Sequence, residues 1–418
     1  MDAARRLPSA PSSLHEPVAP VSQASELGLT GQSIVCFSKD WTEDPTSNNH
    51  VLGLLAQNNR VLWLNSISTR TPKLSSGRDL AKIRRKLAAA LRGARQVRPN
   101  LWVATPLVLP LPHNPVATRL NRWILRATVG LLRRRLGMRE FQLWSFLPSA
   151  AEYFGTLGES LSVYYCTDEW SLFTGMDRER MAAADREICR RADVVFATAT
   201  SLLEKREPLN REAHLATHGV DHALFSQALL DETQVPEEIA SLPKPVLGFY
   251  GLLEDWVDQE LLAHLAQAHP EWSLVLVGKE CVDFSLLKAL PNVHLLGRKP
   301  HSELPAYCKG FSVGLIPYLL TDRIRTVNPI KLREYLCAGL PVVSTPLPEV
   351  LPYGHLCSVA GDKETFLRAV EGALASDTPA LHRQRSEAMR AETWERKVRE
   401  LGTTVARVRH RKQDERLA

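Results

Sequence analysis

NPIKLREYLCAGLPVVSTPLPEV, residues 328–350, packs a helix start, a glycine stop and a buried strand into 23 residues. Asn328 and Pro329 supply an N-terminal cap and a first turn. The helix that follows carries Lys331 and Glu334 three residues apart, on one face. Gly339 ends it, and the apolar run PVVST enters a sheet as an interior strand. The positive end of such a helix, with Lys331 beside it, points at a diphosphate. Glu334 can accept hydrogen bonds from the paired hydroxyls of a ribose. A Lys–Glu surface pair on an ordinary helix is the bland alternative. The order of the whole cassette, behind four other strands, favours the ligand.

Outward from that stretch, short apolar runs alternate with segments of helical period. In the first half the candidate strands are 33–37, 60–64, 101–105, 141–145, 162–166 and 194–198, with helices at 48–57, 115–135 and 177–190. A polar, proline-bearing stretch, 226–245, reads as a crossing between domains. The pattern then restarts with strands at 246–250, 273–277, 293–296, 312–316 and 341–344. Alternation of this kind gives right-handed βαβ units and parallel sheets. The expected fold class is therefore α/β: two doubly wound, Rossmann-like domains facing a cleft, at 31–225 and 240–389. A charged helix follows at about 390–410. Residues 1–30, rich in Pro, Ser and Ala, read as a disordered tail without the apolar segment of a signal peptide.

Ligands of doubly wound sheets bind beyond the carboxyl ends of the strands. Gly251 follows the strand VLGFY and Gly278 follows SLVLV. A glycine there lets backbone N–H groups approach a phosphate closely. A plain tight turn is the alternative for either one alone.

Composition narrows the class. The 418 residues are 44% hydrophobic and 23% charged, normal for a globular protein, and hold no apolar run of eighteen. Seven scattered cysteines without a CxxC pair fit a reducing, cytoplasmic location. Charge is uneven: residues 61–140 carry 17 Lys or Arg against two acids, Asp79 and Glu140, whereas the whole chain is only +6. Segments 78–98 and 119–139 read as helices with apolar and arginine-rich faces. They can dock on an anionic membrane, at the inner face of the cell membrane, or pack on the sheet with solvated arginines.

The second half resembles the donor domain of GT-B glycosyltransferases, particularly bacterial enzymes of polysaccharide assembly. The resemblance rests on GFYGLLEDWVDQELLAHLAQAHPEWSLVLVGK, PNVHLLGRKPHSELPAYCKGFSVGLIPY, NPIKLREYLCAGLPVVST, and THGVD at 217–221. It implies a nucleotide-sugar donor held by Gly251, Gly278, Asn328, Lys331 and Glu334, with 293–297 beside the base. It also implies a carbohydrate or lipid-linked acceptor bound by the first domain, and a last helix that crosses back to that domain. Many retaining members carry a sugar-contacting glutamate eight positions before the ribose-binding one; Thr326 stands there, which leaves inverting and retaining transfer open.

An inverting transfer needs a base for the acceptor proton. The loop TDEWS places Asp168 over the cleft, where related inverting transferases carry an Asp. Asp168 is the expected base, with helix capping the alternative. Asp40 and His50, in the loop after the first strand, can contact the acceptor or cap the next helix. No metal site and no cofactor are implied. A non-catalytic nucleotide-sugar binder and a nucleotide-sugar epimerase remain alternatives. Nucleic-acid binding is not expected, since no aromatic platform accompanies the basic window.

Overall fold

Strands that are apolar at every position need cover on both faces, and the first sheet shows how the chain supplies it. The computed structural model describes residues 28–43, 45–67, 84–90, 92–109, 111 and 114–418. The first domain runs β1 (Ser33–Phe37), α1 (Ser47–Asn58), β2 (Arg60–Leu64), β3 (Arg95–Arg98), β4 (Leu101–Ala104), α2 (Pro115–Arg135), β5 (Gln142–Ser145), β6 (Leu161–Cys166), α3 (Arg178–Arg191), β7 (Val194–Ala197), α4 (Thr200–Arg206) and β8 (Ala213–Leu215). The strand order is β3-β4-β2-β1-β5-β6-β7-β8, parallel except for β3 against β4. Val35 and Phe37 of β1 enter one core, while Ile34 and Cys36 enter the core on the opposite face.

The second domain carries β9 (Val246–Tyr250), α5 (Gln259–Ala268), β10 (Ser273–Val277), β11 (Val293–Gly297), β12 (Val313–Ile316), α6 (Ile330–Cys337), β13 (Val342–Ser344) and β14 (Ser358–Val359), with shorter helices between. Its sheet, β11-β10-β9-β12-β13-β14, is wholly parallel and encloses a single large core. The chain ends in α7 (Trp394–Leu417), which returns to the first domain. Trp394, Val398, Leu401, Val405 and Val408, three or four apart, fill the core face shared with β1 and β2. Arg411 and Arg407 bind Glu212 at 2.6 and 2.8 Å, and Lys412 binds Asp193 at 2.6 Å.

Three expectations from sequence need correction. The segment 78–98 is not one helix: 84–90 is helical, 95–98 is the strand β3, and 78–83 with 91 lie outside the described residues. A turn at Pro99–Asn100, with Asn100 at φ 57°, folds the arginine-rich run back antiparallel to β4. Residues 28–30 join the first domain, since Leu29 is buried and its carbonyl accepts from Asn59 Nδ2 at 2.8 Å; the rest of the expected tail, 1–27, lies outside the described residues. Finally, α6 begins one residue later than the cap placed at Asn328, for its N-cap is Pro329.

Candidate active site

The two glycines that end β9 and β10 lie against each other. A Cβ on Gly278 would stand 1.7 Å from the carbonyl oxygen of Gly251, so only glycine admits that approach. Gly251 itself has φ 137°, and a Cβ there would lie 2.3 Å from Lys331 Cε and 2.6 Å from its Nζ. The two loops and the lysine therefore form one close-packed unit at the carboxyl end of the second sheet. Lys331 Nζ also lies 5.8 Å over the Phe249 ring. Lys331 is half-buried and, among the described residues, forms no ion pair with a carboxylate. A cation held beside backbone at the start of α6 suits an anion with several oxygens.

Glu334, one turn further along α6, is buried and held at both oxygens. Tyr250 donates its hydroxyl to Oε2 at 2.7 Å, and His301 donates Nε2–H to Oε1 at 3.1 Å. Burial pushes this carboxyl up, but the His301 bond and charge, the Tyr250 bond and the Lys331 charge outweigh it. The group is held below the ordinary carboxylate range and is ionised at neutral pH. His301 follows β11 and packs edge-on to Phe225 at 5.4 Å. Tyr250 is the last residue of β9 and reads in sequence as one more strand apolar. Neither residue is singled out by sequence. The signal available is a histidine closely following a strand whose loop borders the site.

Asn328 has a different role from the one its position implies. Its Nδ2 donates to the carbonyl of Thr198, in the first domain, at 2.8 Å and to Glu349 Oε2 at 3.3 Å. Its Oδ1 accepts from Arg333 at 2.7 Å. Glu349 Oε1 in turn accepts from the Thr200 N–H, at the start of α4, at 2.7 Å. Arg333 is fully buried and also reaches Tyr353 at 2.7 Å and Glu392 at 3.3 Å. Both ends of the Asn328 amide are engaged in a buried clasp between the domains.

Across the cleft, β6 ends at Cys166 and the next loop carries Asp168 and Glu169. Glu169 is taken by Lys205 at 3.0 Å and Arg206 at 3.6 Å, and Arg206 also pairs with Asp185 at 2.9 Å. Asp168 is not so engaged and caps no helix, since α3 is capped by Asp177. Burial pushes the Asp168 carboxyl up to about 6, against a Thr167 hydrogen bond and the charge of Arg323. A half-buried carboxylate poised near neutrality suits a general base.

Asp40 and His50 part company. Asp40 Oδ1 accepts from the Ser66 N–H at 3.0 Å and the Ser66 hydroxyl at 2.7 Å, with Lys86 at 3.6 Å. It thereby ties the β1 loop to the β2 loop. His50 stacks on Trp394, centroids 4.9 Å apart, and lies 5.9 Å from His301. It lines a cavity of about 410 Å³ with Trp41, Arg98, Asp221 and His301. Burial, then the His301 charge, drive the His50 pKa down to about 4. Among the described residues no three His, Cys, Asp or Glu side chains are placed to hold a metal ion.

Residues 244–376, the sheet and helices that carry the glycine pair and Lys331, match the family of group 1 glycosyl transferases. The chain has the GT-B fold, and its second domain is similar to the group 1 glycosyl transferases. TuaH of Bacillus subtilis (strain 168), assigned as a teichuronic acid biosynthesis glycosyltransferase, is 28% identical over 255 residues. That match covers 56% of this chain and 63% of TuaH, somewhat under two thirds of the relative. Among solved structures, sucrose-phosphate synthase from Thermosynechococcus elongatus superposes with a TM-score of 0.64 at 16% identity, over 89% of this chain and 97% of that one. An α,α-trehalose 6-phosphate synthase from Burkholderia multivorans gives 0.61 at 13%, over 91% and 98%. HepE of Anabaena, solved with UDP, gives 0.55 at 11%, over 92% and 99%. At such identities the likeness is one of fold, and it spans both domains.

Proposed function

We propose that the protein transfers a glycosyl group from a nucleoside diphosphate sugar to a carbohydrate or lipid-linked acceptor in polysaccharide assembly. The observation that carries this reading is the unit of Gly251, Gly278, Lys331 and the ionised Glu334 at one sheet end, in a group 1 glycosyl transferase domain. Lys331 and the start of α6 take the diphosphate, and Glu334 the ribose. Asp168 takes the proton of the acceptor hydroxyl as its oxygen bonds to the anomeric carbon. The bond to the diphosphate breaks, and its electron pair stays on the phosphate oxygen beside Lys331. The match to TuaH supports a polysaccharide context, and the family match favours group transfer over epimerisation or nucleic-acid binding.

A peripheral position at the inner face of the cell membrane fits α2. Its buried side, Ala117, Asn121, Leu125 and Val129, packs inward. Val116, Leu120 and Trp123 form a second, exposed apolar stripe, with Trp123 68% exposed. Leu107, Leu109 and Leu111 are exposed as well, and Arg119 and Arg126 lie on the same helix. Apolar and arginine side chains side by side suit an anionic lipid surface, where a lipid-linked acceptor is presented. Among the described residues no helix is long and apolar enough to cross a membrane.

The test is release of nucleoside diphosphate from a panel of nucleotide sugars, with bacterial lipid extract as acceptor source. One donor is expected to turn over. Asp168→Asn should slow transfer by about 10²-fold or more while leaving donor affinity in place. Failure with every donor sinks the transferase reading, and undiminished turnover by Asp168→Asn removes its role as base.

A further inference from the structure

A stack of planar groups joins the two domains, and it is short of hydrogen-bond acceptors. Trp170 and Phe173, in the loop that carries Asp168, have ring centroids 5.0 Å apart and planes 21° from parallel. The Arg323 guanidinium, brought by the second domain from the loop after β12, lies 4.2 Å over the Phe173 ring and 4.4 Å over the Trp256 ring. Trp256 belongs to the loop that Gly251 begins. Two donors in this stack, Arg323 Nε and Trp170 Nε1, are buried without a partner. Among the described residues the Arg323 side chain forms no ion pair and no hydrogen bond. An arginine stacked in this way keeps its N–H edge for a hydrogen-bond acceptor.

The backbone around the arginine is fixed. The Arg323 carbonyl accepts from the Thr326 N–H at 3.0 Å and from the Thr326 hydroxyl at 2.7 Å. The Trp256 carbonyl accepts from the Leu319 N–H at 2.8 Å, and the Pro317 carbonyl from the Asp258 N–H at 2.8 Å. The loops of Trp256 and Arg323 are thus joined through their main chains. Thr326 spends its hydroxyl on the turn and offers the cleft no charge. A guanidinium held on rings above tied backbone has little freedom left to lose when a ligand arrives.

A half-buried cation without a counter-charge is costly unless an anion meets it. Uncharged amide side chains would serve sugar hydroxyls at less cost. The diphosphate has its own cation in Lys331, packed on Gly251. Arg323 lies instead against the loop of Asp168, where the proposed reaction brings the donor sugar and the acceptor together. A planar fork of N–H groups pairs best with a carboxylate in its own plane. We propose that Arg323, backed by Phe173 and Trp256, binds the carboxylate of a hexuronic acid, carried by the donor sugar or by the acceptor sugar beside it. This rests on the reading of the protein as a glycosyltransferase and narrows its substrates to acidic sugars.

The experiment is calorimetric titration of wild type, Arg323→Gln and Arg323→Lys. One arm uses UDP-glucuronate, UDP-galacturonate and GDP-mannuronate, each beside its neutral hexose counterpart, together with free UDP and GDP. The other uses the methyl glycosides of the same acids and of their neutral hexoses, with the nucleoside diphosphate already bound. In one arm wild type should prefer an acid to its neutral counterpart by about 10²-fold, the loss typical of a charged partner left unpaired; that arm names the source of the carboxylate. Arg323→Gln should bring the ratio to about one. Arg323→Lys, which keeps the charge and loses the fork, should keep only part of it. The proposal is overturned if wild type shows no preference in either arm, or if Arg323→Gln leaves the ratio as it was. It is equally overturned if Arg323→Gln weakens free UDP or GDP by the same factor, since the arginine is then a diphosphate ligand. Should Arg323→Gln not fold, the wild-type and Arg323→Lys ratios decide alone. Binding needs no turnover, so the two readings fail separately: preference for an acid without transfer refutes glycosyl transfer, and turnover of neutral sugars without any preference refutes the role of Arg323.

Discussion

Replacing Glu334 with glutamine keeps the shape of a buried side chain and removes its charge, which separates a ribose ligand from a structural strut. An ionised carboxylate has about four lone-pair sites. Tyr250 occupies one at 2.7 Å and His301 another at 3.1 Å, leaving about two for the two hydroxyls of a ribose. Hydrogen bonds to a charged acceptor contribute about 1 kcal/mol more than neutral ones. Two such bonds amount to about 2 kcal/mol, or about 30-fold in affinity. Calorimetric titration of the nucleoside diphosphate that binds wild type should show that loss in Glu334→Gln. The 2′,3′-dideoxy analogue should bind wild type more weakly still, since it loses both bonds altogether, and the variant should discriminate less than wild type between the two. Inorganic diphosphate, which lacks the ribose, should bind both proteins alike. If wild type binds the dideoxy analogue as tightly as the ribonucleotide, Glu334 only braces Tyr250 and His301, and the assignment of the ribose pocket is wrong.

Gly278→Ala drives a methyl into the Gly251 carbonyl, and backbone cannot yield as a side chain can. A loss of about 3 kcal/mol of stability and weaker diphosphate binding are expected; an unchanged melting temperature contradicts the close approach. Asn328→Ala leaves the Thr198 carbonyl and Arg333 short of partners, at about 2 kcal/mol, so denaturant titration should show lower stability while nucleotide affinity holds. Lost affinity at unchanged stability would return Asn328 to the donor site. Burial, with neighbouring charges, lowers His50 to about 4 and His218 to about 3. The unfolded chain binds those protons below about 6.5, so stability should fall as pH drops from there towards 5, the two histidines outweighing the opposite effect of the one Asp168 carboxyl raised to about 6. A urea midpoint that stays level from pH 7 to 5 excludes buried neutral histidines.

The periodicities that define α1, α2 and nearly all the strands are local, and they are legible because an interior parallel strand is an unbroken apolar run. The edge strand β3 is not, since its arginines face solvent and only the Pro99–Asn100 turn betrays it. In the same way, the glycine pair and Lys331 were readable because each sits at a strand end or helix start. Their mutual contact, with a carbonyl 1.7 Å from a missing Cβ, is not written in either loop alone.

What stayed hidden is the partnership between domains, and the reason is geometric. Asn328 looks like a helix cap because Asn-Pro before an amphipathic run usually is one. Its amide instead meets the Thr198 carbonyl, a backbone group that any residue at 198 would offer. No side-chain pattern encodes that contact. Arg323 is hidden for the complementary reason: its two rings, Phe173 and Trp256, lie in loops of different domains, and sequence separation says nothing of their meeting. Both contacts join the loop between β12 and α6 to the first domain, Asn328 through a buried hydrogen bond and Arg323 through a half-buried stack. A buried bond left unpaired costs the full desolvation of its groups, whereas a stacked guanidinium can be rehydrated on opening. The clasp at Asn328 is therefore the costlier of the two contacts to break.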